Sequence, residues 1–100
     1  MQIITVDELK AKMNNGETLQ LVDVREPSEH AEFNIGGKLI PLGQIISMQI
    51  DDIEEWKTKE VICYCRSGNR SGQACQYLDM LGFSNTKNLA GGMIAWQQSK

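Results

Sequence analysis

The sequence predicts an α/β fold in which a central, mainly parallel sheet is flanked by helices. Two observations carry that prediction. Residues 19–24 and 61–64 form short apolar runs of the kind found in strands buried on both faces. Helix-like stretches lie between such runs, and parallel pairing needs a crossover long enough to hold a helix.

The elements follow in order. Residues 2–4 are β-prone. Thr5 with Glu8 three residues later has the pattern of a capping box, and Val6, Leu9 and Met13 give the helix behind it an apolar stripe. Asn14-Asn15-Gly16 stops that helix. Residues 19–24 are the first convincing strand. Glu26-Pro27-Ser28-Glu29 begins a short helix, with Pro27 suited to its first turn, and Arg25 and Glu29 are placed for a local ion pair. Gly36-Gly37 and Pro41 bracket a short segment at 38–40. Residues 42–48 and 51–56 read as short helical pieces around Ile45, Ile46, Ile50, Ile53 and Trp56. After the 61–64 strand, Ser71, Ala74, Cys75, Leu78 and Leu81 recur at helical spacing until Gly82. Residues 86–89 are a last strand, and Gly91-Gly92 turns the chain into a final helix with Met93, Ile94 and Trp96.

One hundred residues, 41% of them apolar, fit one domain with a modest core, and the expectation is a single domain over 1–100. A net charge of −3 gives no reason to expect nucleic acid as a partner. No apolar run is long enough to predict a membrane span. The N-terminal residues lack a signal-peptide pattern, and three cysteines cannot all pair within the chain. Reduced thiols in the cytoplasm are therefore expected.

The chemistry concentrates in Cys65-Arg66-Ser67-Gly68-Asn69-Arg70-Ser71, between the 61–64 strand and the helix predicted from about Ser71. In parallel α/β sheets, ligands bind beyond the C-terminal strand ends, where Cys65 falls. The reactive form of cysteine is the thiolate, and three features favour it here. The helix brings its positive dipole end to the loop. Gly68 and the αL-tolerant Asn69 allow successive amides to point inward as an anion nest. Arg66 and Arg70 add fixed positive charge. The same cradle suits a persulfide, whose outer sulfur is anionic, and the arginines suit a dianion such as thiosulfate. Covalent two-step sulfur transfer is the implied chemistry, with no cofactor and no metal.

Four stretches together resemble the rhodanese family of sulfurtransferases in its single-domain form. They are Leu21-Val22-Asp23-Val24-Arg25-Glu26-Pro27, Ile40-Pro41-Leu42, the Cys65 loop, and Gly91-Gly92-Met93-Ile94-Ala95-Trp96, in the family's order. The resemblance implies a three-layer sandwich around a mainly parallel five-stranded sheet. It implies that Cys65 is the catalytic cysteine and that residues 66–70 (Arg66, Ser67, Gly68, Asn69, Arg70) form the loop around it. Arg70 would close and orient the loop, and Arg66 would contribute to substrate charge. The expected partners are a small sulfur donor, thiosulfate or a persulfide, and a thiol, cyanide or protein acceptor. Cys65 to Arg70 is a Cys-x4-Arg loop. Related phosphatases and arsenate reductases have Cys-x5-Arg, a wider ring sized for a tetrahedral oxyanion, whereas the shorter one suits a single sulfur. A low-turnover sulfur carrier and, less favoured, a phosphatase relative stay as alternatives. Where the family commonly has a histidine, this chain has Asn34.

The other candidates have plainer readings. Cys63 and Cys75 are expected in the core, and a Cys63–Cys65 metal pair lacks further ligands. His30 reads as a solvated surface residue rather than a general base. The resemblance suggests structural hydrogen bonding for Asp23 and Arg25 near the loop.

Overall fold

The computed structural model describes residues 1–99. Five strands, β1 (Gln2–Ile4), β2 (Gln20–Asp23), β3 (Lys38–Leu39), β4 (Glu60–Tyr64) and β5 (Asn85–Leu89), form one sheet in the order β1-β5-β4-β2-β3. Every neighbouring pair is parallel. The helices are α1 (Val6–Asn14), α2 (Pro27–Glu32), α3 (Leu42–Ile46), α4 (Asn69–Met80) and α5 (Gly92–Gln98), with a 3₁₀ segment at Asp51–Trp56. The capping box at α1 forms: the Glu8 amide donates to the Thr5 hydroxyl, and the Thr5 amide donates to the Glu8 carboxylate.

The central strand, β4, explains why the core has two halves. Successive side chains point to opposite faces of a strand. Val61, Cys63 and Cys65 therefore pack on one side with Ala74, Cys75 and Leu78 of α4 and Ile45 of α3. Ile62 and Tyr64 pack on the other with Leu9 of α1 and Met93 of α5. The C-terminal ends of β2, β4 and β5 open on one edge of this sandwich.

Several boundaries differ from expectation. The helix after Cys65 begins at Asn69, two residues before Ser71, because Gly68 already supplies the cap. Asn69 is thus helical, and the left-handed position belongs to Gly68 alone (φ 108°). The third helix ends at Ile46, short of Met48, which takes a positive φ of 61°. Residues 51–56 do form the expected short helical piece, wound as 3₁₀.

Candidate functional site

Cys65 is the first residue after β4 and Gly68 caps α4, so the loop between them has only two further residues, Arg66 and Ser67. This short turn is held from outside by its carbonyls. The Met93 and Ile94 amides, at the N-terminus of α5, donate to the carbonyls of Cys65 (2.9 Å) and Arg66 (3.0 Å). The Asn88 side chain of β5 donates through Nδ2 to the Gly68 carbonyl at 3.0 Å. Carbonyls fixed outward leave amides free to face the sulfur, and the Gly68 amide donates to Cys65 Sγ at 3.0 Å. Gly92 explains the close seating of α5. A Cβ there would lie 2.4 Å from the Cys65 carbonyl oxygen, and its φ of +55° disfavours other residues too.

The sulfur itself is buried, with Cys65 1% exposed. Burial pushes its thiol up, but the Ser71 hydroxyl and the amides of Ser71, Gly68 and Ser67 outweigh it and hold it below the ordinary thiol range. Ser71 Oγ lies 3.4 Å from Cys65 Sγ and 2.5 Å from Asn88 Oδ1. Arg66 and Ser67 are exposed, and Arg66 lines a cleft of about 220 Å³ with Phe33, Met93 and Ile94. The cleft flanks the loop rather than opening on Cys65.

Arg70, half-buried, reaches across to α2. Its guanidinium makes two hydrogen bonds to the Glu29 carboxylate, at 2.7 and 2.9 Å. That pairing and the Glu26 contacts pull the Glu29 carboxyl down to about 2, against a smaller upward push from burial. The expected Arg25–Glu29 pair does not form. Arg25 is taken instead by Asp23, through Nε and Nη2 at 2.9 Å each, and it also donates to the Phe33 carbonyl.

Asp23, fully buried at the end of β2, also lies 2.8 Å from His30 Nδ1. His30 is therefore half-buried and paired with Asp23 rather than a freely solvated surface residue. A carboxylate buried this deeply needs several donors, and α2 is positioned to bring His30 as one of them. Burial pushes the Asp23 carboxyl up, yet hydrogen bonds from Arg25 and His30 hold it below the usual carboxylate range. Asn34 stands nearby, where its side chain ties the His30 carbonyl to the Gly36 amide in a local turn. Cys63 and Cys75 are core residues as expected. The neighbouring Cys75 thiol and complete burial push the Cys63 thiol well up, which keeps it protonated.

A family description for the rhodanese-like domain matches residues 5–99, nearly the whole chain and all four sequence blocks. The chain belongs to the rhodanese-like domain family. A protein of Allochromatium vinosum named "Sulfurtransferase" is 39% identical over 93 residues, covering 93% of this chain and 85% of its own. A Bacillus subtilis protein named "Putative sulfurtransferase YtwF" is 42% identical over 99 residues, covering 94% of this chain and 88% of its own. Among solved structures, a rhodanese-like domain protein of Staphylococcus aureus superposes with a TM-score of 0.85 at 36% identity. It covers 96% of this chain and 91% of that one.

In this rhodanese-like domain, Asn88 and Glu29 complete the surroundings of the loop, and neither was singled out from the sequence as part of it. Asn88 had a signal. With Thr86 it places two polar residues at alternate positions of a buried strand, where apolar ones are the rule. Glu29 had none, because its partner is 41 residues away.

Proposed function

We propose that this domain transfers sulfane sulfur, with Cys65 as the residue that carries it. The Cys65 thiolate attacks the outer sulfur of thiosulfate, or of a persulfide donor. A new S–S bond forms on Cys65 as the donor's own S–S bond breaks, and sulfite or a thiolate leaves with the bonding pair. A thiolate or cyanide acceptor then attacks the outer persulfide sulfur, and Cys65 departs as thiolate. The loop stabilises negative charge on sulfur at both stages, as preorganised donors do around an oxyanion.

The observation that carries this reading is the Gly68 amide aimed at Cys65 Sγ across 3.0 Å, in a loop with only four residues between Cys65 and Arg70. So short a ring fits one sulfur better than a tetrahedral oxyanion. Arg66, exposed on the cleft wall, supplies charge for an anionic donor, and Arg70, held by Glu29, keeps the loop in shape. Residues 1–99 act together as one domain in this reading. Three free thiols and no helix long and apolar enough to cross a membrane, among the described residues, accord with work in the cytoplasm.

Intact-mass measurement after thiosulfate treatment tests it. The wild type gains one sulfur, and Cys65→Ser gains none. No gain on the wild type, or an equal gain on Cys65→Ser, overturns the reading. Cyanide-dependent turnover then separates an enzyme from a carrier: full loading with near-zero turnover identifies a carrier that delivers to a protein acceptor.

A further inference from the structure

Ser71 has one hydroxyl proton and two acceptors within reach. Its Oγ is 2.5 Å from Asn88 Oδ1 and 3.4 Å from Cys65 Sγ. The orientation of the Asn88 amide is fixed from its other end. The Gly68 carbonyl can only accept, so the group 3.0 Å from it must be the Nδ2 donor, and Oδ1 must face Ser71. In the resting thiol, the nearer and better acceptor, Asn88 Oδ1, takes the Ser71 proton. Ser71 Oγ then has lone pairs left for the Cys65 S–H. Once Cys65 Sγ is charged, as the thiolate, it has no proton to give, and Ser71 adds to the Gly68 amide as a donor only by rotating its hydroxyl.

We propose that Asn88 is a positioning residue that holds the Ser71 hydroxyl proton in the resting site and yields it to sulfur when sulfur becomes negative. The proposal rests on Cys65 as the sulfur-bearing residue and adds a two-position hydroxyl beside it. In going from one state to the other, the Cys65 proton leaves to solvent, the Ser71 O–H turns from Asn88 Oδ1 to Sγ, and no other bond changes. Asn88 therefore opposes the charged state through Ser71, while its Nδ2 contact supports the loop through Gly68. The two roles act in opposite directions, and they separate in a double-mutant cycle. Arg70 on α4, paired with Glu29, and Cys63 on the same face of β4 also bear on Cys65. Arg66 is the other charged side chain of the loop. All of them are unchanged throughout the cycle.

The experiment measures the pH profile of Cys65 alkylation by iodoacetamide in the wild type, Asn88→Ala, Ser71→Ala and the double variant, with peptide mass to localise the label. Loss of the Gly68 contact shifts the midpoint equally whether or not the Ser71 hydroxyl is present. Freeing the Ser71 proton acts only where that hydroxyl is present. Replacing Asn88 must therefore place the midpoint about half to one pH unit lower when Ser71 is intact than the same change does in the Ser71→Ala variant, the size expected of one neutral hydrogen bond. Equal shifts in both backgrounds, or a difference of the opposite sign, overturn the proposal. If Asn88→Ala does not fold, Asn88→Ser keeps a polar group too short to reach Ser71 and takes its place. Thiosulfate loading of the wild type, read by mass in parallel, reports on Cys65 chemistry independently of the cycle.

Discussion

The Arg70 guanidinium on α4 and the Glu29 carboxylate on α2 form a two-pronged ion pair that joins the loop helix to the segment after β2. The pair is about one-third exposed, so solvent screens it and its net worth is about 1 kcal/mol or less. Glu29→Gln should lower stability by that much at pH 7, measured by urea unfolding. The pH dependence has a definite sign. The folded Glu29 carboxyl sits near 2, below its ordinary value of 4.5, so its contribution is full above 4.5 and fades as pH falls toward 2. The gap between wild type and Glu29→Gln should therefore close at low pH. A gap that stayed constant with pH would show that the pair adds nothing.

Asp23 should behave differently, because it is buried rather than screened. Asp23→Ala removes the acceptor of three Arg25 donors and of His30, leaving a guanidinium that is only 5% exposed without its carboxylate. Loss of one partner from such a pair costs about 3–5 kcal/mol, several times the effect expected at Glu29. Urea unfolding of both variants under one condition checks the ranking. Similar losses would contradict the burial argument.

A pair of glycines offers a sharper contrast. Gly92→Ala places a Cβ 2.4 Å from the Cys65 carbonyl and 2.6 Å from the Arg66 carbonyl, in a left-handed conformation. Both obstacles are backbone, so neither can rotate away. A loss of about 2–4 kcal/mol is expected from strain and displacement, together with loss of sulfur loading as α5 lifts from the loop. Gly43→Ala in α3 meets nothing within 4 Å and should be neutral or stabilising by about 0.5–1 kcal/mol. Thermal unfolding and thiosulfate loading of the two variants separate a general effect of added methyls from this specific collision.

What could be read from the chain follows from how far each interaction reaches. Residues 61–64 revealed β4 because a strand buried on both faces must be apolar throughout, and the Thr5–Glu8 cap was visible because its partners are three residues apart. The same local logic misassigned Glu29 to Arg25, four residues away, when the fold brings Arg70 from 41 residues off. His30 looked like a surface residue because its own helix is polar, and only the fold places Asp23 beside it. Helix α4 begins at Asn69, ahead of Ser71, because Gly68 is already its N-cap, and a glycine inside a polar loop does not by itself mark that boundary.

The loop's effect on Cys65 predicts a reactivity that depends on folding. An unstructured cysteine ionises near pH 8.5. In the folded chain, burial opposes ionisation, but Ser71 and the amides of Ser71, Gly68 and Ser67 more than offset it, so the thiolate should appear at lower pH. Alkylation of the native protein at Cys65, which follows β4 beside the exposed Arg66 and Ser67, should have its midpoint below that of the same protein in urea. Cys63 and Cys75, within β4 and α4 and away from that turn, should be labelled only in urea. Linkage adds a second, independent reading. A thiol whose folded value is depressed contributes stability that is fully present above the unfolded value and is lost as pH falls through the folded one. The stability of the wild type relative to Cys65→Ser should therefore rise as pH increases from neutral toward 9. Coincident midpoints in the folded and unfolded states, with a pH-independent difference between wild type and Cys65→Ser, would mean that the amides around Cys65 do not act on its charge.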